Sequence, residues 1–165
     1  MFGLTPLGAF HTLISVIAIA TGFWAFARDR EIAPATRLGQ LYLAATAITA
    51  ATGLAIFQHG SFRIGHMFAI ATLAAVAVGT LAATTALFGR ASRYVQAVFY
   101  SSTMLIHMIT GSAETLTRLP PGAPLVTAAN AYVFPYILWG LVLLFLLGLG
   151  LQLRWLRTET RPVRD

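Results

Sequence analysis

Four histidines, His11, His59, His66 and His107, are the side chains in this sequence best suited to chemistry. Neutral imidazole binds haem iron, zinc and divalent copper, and it exchanges a proton near neutral pH. Met67 follows His66 directly, and Met104 and Met108 flank His107. Thioether joined to imidazole favours soft monovalent copper. The sequence holds no cysteine, which removes thiolate metal sites, iron–sulfur clusters, thiol nucleophiles and disulfides together. A metal would therefore rest on His, Met or carboxylate, and the candidate ligands are His11, His59, His66, His107, Met104 and Glu114. No nucleophile stands with a base and an orienting partner, no glycine-rich loop would cradle phosphate, and no carboxylates are paired. Hydrolase and ATPase chemistry have no support.

The elements that must position these residues follow from composition. Of 165 residues 58% are apolar and 10% charged, whereas a soluble domain carries about 45–50% and about 25%. The same apolar excess excludes a disordered chain. A hydrocarbon core of about 30 Å needs about 20 helical residues per crossing, and five runs of that size lie between charges or Pro and Gly. They cover about 6–27, 38–57, 65–89, 94–115 and 132–153. Unbroken runs favour helices over a barrel, which needs short alternating strands. The expected fold is all-α, a single bundle of five membrane-spanning helices with a basic tail at 154–165.

Charge gives the bundle a direction. All 11 cations are Arg, against 5 Asp+Glu. Placing the N-terminus outside puts Arg28, Arg30, Arg37, Arg90, Arg93, Arg154, Arg157, Arg161 and Arg164 on the inner side and leaves Arg63 and Arg118 outside. Nine against two orients the chain by the positive-inside rule, with the C-terminus cytoplasmic. The expected location is the inner (plasma) membrane, with multiple passes. The basic residues then face anionic lipid rather than nucleic acid, and Trp155 and Tyr132 suit the two interfaces. Met1 to Thr5 carry no basic residue, so a cleaved signal peptide is not expected.

This orientation gathers all four histidines on the outer side. His11 lies about 7 Å and His107 about 12 Å below the outer boundary, at about 1.5 Å per helical residue, while His59 and His66 sit near the surface. Ionisable residues within spans are costly and need a reason. Residues three, four and seven positions from His107 share its face: Tyr100, Thr103, Met104, Thr110, Gly111 and Glu114. Such a stripe should face the bundle interior or a wet cavity. Each histidine also has a structural explanation: His11 and His107 can bond a carbonyl or hydroxyl, and His59 and His66 can simply be solvated. Glu114 stands four residues before Arg118, in the favourable order for an ion pair.

Several short motifs resemble an uncharacterised group of predicted multi-pass bacterial inner-membrane proteins, known as a domain-of-unknown-function family. They are Phe10-His11-Thr12 with the later Gly22, the helix start Gly39-Gln40-Leu41-Tyr42, His59-Gly60 with Phe62 and His66, and His107 followed by Arg118-Leu119-Pro120-Pro121-Gly122. The likeness spans roughly residues 6–120. The family commonly has His-Arg before its Gly-x-x-Tyr, where this chain has Thr36-Arg37. The resemblance implies a multi-helix inner-membrane fold and supplies no activity.

Three functions remain open. The first is a redox or metal-handling membrane protein that holds haem b or copper; a bis-imidazole haem needs two histidines on facing helices at similar depth, and His11 with His107 is the best match. The second is an accessory or assembly subunit of a larger membrane complex, or a homo-oligomer, without a cofactor. The third is a small transporter or channel along the polar stripe, against which the inner halves of the spans hold no titratable group.

Overall fold

In the computed structural model, residues 5–56 and 61–159 are described. Among them the chain forms five long helices and no strand: α1 (Pro6–Asp29), α2 (Arg37–Ala55), α3 (Ile64–Thr84), α4 (Ser92–Arg118) and α5 (Phe134–Glu159). Short 3-10 turns, Gly89–Ala91 and Ala128–Val133, precede α4 and α5. Local chemistry sets several boundaries. Thr5 Oγ1 accepts from Gly8 N–H at 3.1 Å ahead of Pro6, and Thr36 Oγ1 accepts from Gly39 N–H at 3.0 Å; both satisfy amide donors that a helix start leaves unpaired. α1 ends at Arg30, whose left-handed φ of 60° turns the chain.

The third helix is shorter than its apolar run, which continues to Gly89. Thr85 adopts extended backbone, its hydroxyl bonded to Leu81 O at 2.7 Å and accepting from Leu87 N–H at 3.3 Å. Threonine competing for backbone groups stops the helix where apolarity alone would carry it on. α4 extends to Arg118, beyond the expected 115. α5 continues to Glu159, so the first part of the basic tail is helical.

Four helices, α1, α2, α3 and the segment Ala128–Glu159 that contains α5, are long and apolar enough to cross a membrane. α4 is long enough but too polar to join that group, where five spans were expected. Its position explains the composition. Consecutive helices pack side by side, and α4 also contacts α1 and, through side chains, α2, so all four other helices touch α4. Neighbouring helices run antiparallel: His11 near the start of α1 meets Thr52 near the end of α2, and Thr80 late in α3 meets Tyr100 early in α4. One end of the bundle thus gathers Arg28, Arg30, Arg37, Arg90, Arg93, Arg154 and Arg157, and the other holds Arg63 and Arg118.

Small and polar residues point inward while large apolar ones point out. α1 buries Ala18, Gly22 and Ala25, and α3 buries His66, Ala69, Thr72, Ala75, Gly79 and Ala82, a stripe at three- and four-residue spacing. Leu13, Val16, Trp24, Trp139, Leu144, Leu147 and Leu151 are exposed. This pattern inverts that of a water-soluble core and matches helices that approach closely in an apolar medium. The largest buried side chains, Tyr42 and Tyr100, lie where facing helices carry glycine: a Cβ on Gly22 would stand 2.7 Å from Tyr42 Cε2, and one on Gly79 would stand 2.5 Å from Tyr100 Cε1.

Gly39 faces backbone rather than side chain, since a Cβ there would strike the carbonyl of Ala33. Gly39→Ala is expected to lower thermal stability in detergent by about 1–3 kcal/mol, the usual cost of forced overpacking. Gly140 has no atom within 4 Å of an added Cβ. Gly140→Ala should therefore be neutral or stabilising by up to about 1 kcal/mol, as helix propensity dictates.

Candidate functional site

The polar stripe of α4 is a ladder of paired side chains. At the arginine-rich end, Gln96 Nε2 donates to Ile32 O at 3.3 Å, Arg93 pairs with Glu31 at 3.0 Å, and Ser101 Oγ donates to Gln152 Oε1 at 2.8 Å. Gln152 Nε2 in turn donates to Arg30 O at 3.0 Å, joining α5 to the turn after α1. The Trp155 ring centroid lies 5.8 Å from the Arg30 guanidinium and 5.4 Å from that of Arg93. These bonds close that end.

Further along, α2 runs parallel to α4 and supplies the partners. Thr103 Oγ1 donates to Tyr100 O at 2.7 Å, so its lone pair accepts the Tyr42 hydroxyl proton at 2.6 Å. One turn on, Thr46 Oγ1 and His107 Nε2 are 3.1 Å apart, and Tyr42 presents its ring to the imidazole at a centroid distance of 6.3 Å. His107 is 5% exposed. Beyond it the stripe opens, with Thr110 and Gly111 half-buried and Glu114 exposed.

The opening is a cavity of ≈720 Å³ at the end away from the arginine cluster, and its walls include His11, His66 and His107. His11, half-buried, places Nδ1 3.0 Å from Thr52 Oγ1. Thr52 spends its single hydroxyl proton on its own helix, at the carbonyls of Ile48 (2.8 Å) and Thr49 (3.0 Å). With Nδ1 of neutral His11 as the donor to Thr52 Oγ1, the lone pair is left on Nε2. That nitrogen has the electronic form a metal or haem iron requires.

The other expected ligands stand differently. His66 Nδ1 accepts the backbone N–H of Arg63 at 3.1 Å, its own backbone N–H donates to Arg63 O at 2.9 Å, and its ring stacks on Phe62 at 5.1 Å, a cap at the start of α3. With Nδ1 accepting, the proton of neutral His66 sits on Nε2, so this histidine serves the cap and does not offer a lone pair. Glu114 forms an ion pair with Arg118 at 2.6 Å and has 64% of its side chain exposed at the cavity mouth. Met104 lies off the cavity wall; it packs near Gly22 and Tyr42 and lines a separate groove with Met108. Thioether and imidazole are thus parted. His59 lies outside the described residues. Among the described residues no group of three or more His, Cys, Asp or Glu gathers to hold a metal ion; His11 and His107 both line the cavity.

Of the α2 side chains that supply these bonds, Tyr42 entered the sequence reading only within the Gly39-Gln40-Leu41-Tyr42 helix start, and Thr46, Thr49 and Thr52 were not read as partners. Their signal was present in the spacing 42, 46 and 49, one helical face carrying hydroxyls through an apolar run. No protein-family model, curated protein or solved structure matches this chain.

Thr46→Val keeps the shape of the side chain but removes the oxygen beside His107 Nε2. Stranding a buried polar atom costs about 1–3 kcal/mol, so the melting temperature in detergent is expected to fall. Thr84→Val, at an exposed hydroxyl bonded only within its own helix, should leave it nearly unchanged.

Proposed function

We propose that this protein is a five-helix integral protein of the bacterial inner membrane that holds haem b between His11 and His107, with its cavity facing the outside and its arginine-rich end in the cytoplasm. The observation that carries the reading is the presence of two imidazoles, from α1 and α4, on the wall of one cavity. The cavity's size falls in the range of about 300–1,000 Å³ typical of cofactor sites. His11 Nε2 has its lone pair available, and His107 would exchange its bond with Thr46 for one to iron. Arg63 borders the same cavity and would meet a propionate, since guanidinium pairs with carboxylate, whereas Arg118 at the cavity mouth already has Glu114 as its partner. An imidazole-only pair, with Met104 turned away, favours haem over monovalent copper.

The orientation rests on seven described arginines at one end against two at the other.

Protein purified in mild detergent from cells supplied with haem precursor should show a Soret band at one haem per chain. His11→Ala and His107→Ala should each abolish or strongly reduce it, while His66→Ala should retain it. A colourless wild type after haem addition would overturn the haem reading. Stoichiometric copper in its place would transfer the site to that metal, and co-purification of a larger complex without cofactor would favour an accessory subunit.

A further inference from the structure

A second concavity, of ≈570 Å³, lies between α1, α4 and α5 on the flank of α4 away from the histidines. Its wall is apolar along most of its length, through Phe26, Met104, Met108 and Leu144, and it ends at Arg30 and Trp155. We infer that this groove is a binding site for one anionic phospholipid of the arginine-side leaflet, its phosphate on Arg30 and an acyl chain laid along α5. The inference rests on the membrane reading given above.

Charge is the first argument. Arg30 is exposed and faces the Trp155 ring, whereas the neighbouring Arg93 has Glu31 as its ion-pair partner. Arg30, Arg93 and Glu31 together leave one positive charge at the groove end. Guanidinium binds phosphate through paired N–H donors, and tryptophan favours the headgroup level.

Length is the second argument. From Trp155 to Leu141, both on the groove wall, the helix rises about 21 Å at about 1.5 Å per residue. One leaflet including headgroups is about 20–22 Å thick. A single phospholipid therefore fits with its phosphate at Arg30 and its tail ending near the bundle's middle. The polar groups on the groove floor ask nothing of the occupant, because Ser101 and Gln152 are bonded to each other and to Arg30 O.

The groove can be blocked without disturbing its head. Gly148 lines it, and an added Cβ there meets no atom within 4 Å. Gly148→Phe would fill the tail region, Arg30→Gln would remove the phosphate partner, and Arg37→Gln would remove an arginine from the same end of the bundle but outside the groove.

The test reconstitutes each protein into vesicles of equimolar phosphatidylcholine and phosphatidylglycerol, floats them, re-extracts in mild detergent and counts retained lipid by native mass spectrometry. Wild type should retain one phosphatidylglycerol, preferred about fivefold over phosphatidylcholine, as one arginine near an anionic headgroup implies. Arg30→Gln should erase the preference and Gly148→Phe the retention, whereas Arg37→Gln should behave as wild type. Equal retention of both lipids by wild type overturns the site, as does preference that survives Arg30→Gln or retention that survives Gly148→Phe. Protein that fails to float with the vesicles overturns the membrane reading itself.

Discussion

A polar helix surrounded by apolar ones must find every hydrogen-bond partner within the bundle, because an unpaired buried donor or acceptor costs about as much as several favourable contacts supply. α4 is that helix. Tyr100 meets Thr80 on α3, Ser101 meets Gln152 on α5, and Thr103 and His107 meet Tyr42 and Thr46 on α2. Each pair fixes the rotation of a neighbouring helix as well as its distance. The small residues follow from the same demand: Gly22 and Gly79 make room for the two tyrosine rings whose hydroxyls complete these pairs. Other hydroxyls, such as Thr21, Thr72 and Ser102, return to carbonyls of their own helices and so add no inter-helix demand.

The pairing is unequal along the axis, and the difference between the two ends follows from it. At the arginine-rich end, side chains from α4 and α5 reach backbone carbonyls and charges in the turn after α1, and the helices close on one another. At the other end the ladder stops at His107, and beyond it the walls separate into a cavity bordered by His11, Glu114 and Arg118. A buried imidazole at the inner limit of such a cavity, with a second one on the facing helix, is the arrangement that the haem proposal uses. The apolar groove on the opposite flank arises because α5 meets the rest of the bundle mainly through Gln152 and Leu156, the two residues it buries.

Much of this architecture was legible in the sequence. Helix count and approximate limits followed from apolar runs, and the α4 stripe was readable because Tyr100, Thr103, Met104 and His107 share one face at helical spacing. All four are buried in the structure. The end of α3 was not legible, since Thr85 stops the helix by side-chain bonding that hydropathy does not register. The ligand set was legible only in part. His66 was near the right place, but its role as a cap depends on the Arg63 backbone conformation. Met104 shares a face with His107 in a coarse helical projection, yet the three-residue offset turns it toward α1, and the resolution of that projection is too low to separate two sides of one helix.

The proposed function requires that α4 lead from the buried ladder to a cavity open at the histidine end, and that this end face the outside of the cell. The cysteine-free chain allows the most direct measurement: single-cysteine variants at Thr110, on the cavity wall, and at Thr103, fully buried in the ladder, treated with a membrane-impermeant maleimide on intact cells whose outer barrier has been opened. Rapid labelling of Thr110→Cys from outside is expected, with no labelling of Thr103→Cys until the protein is unfolded. Labelling of Thr110→Cys only from the cytoplasmic side, or equal labelling of both positions, would contradict that requirement.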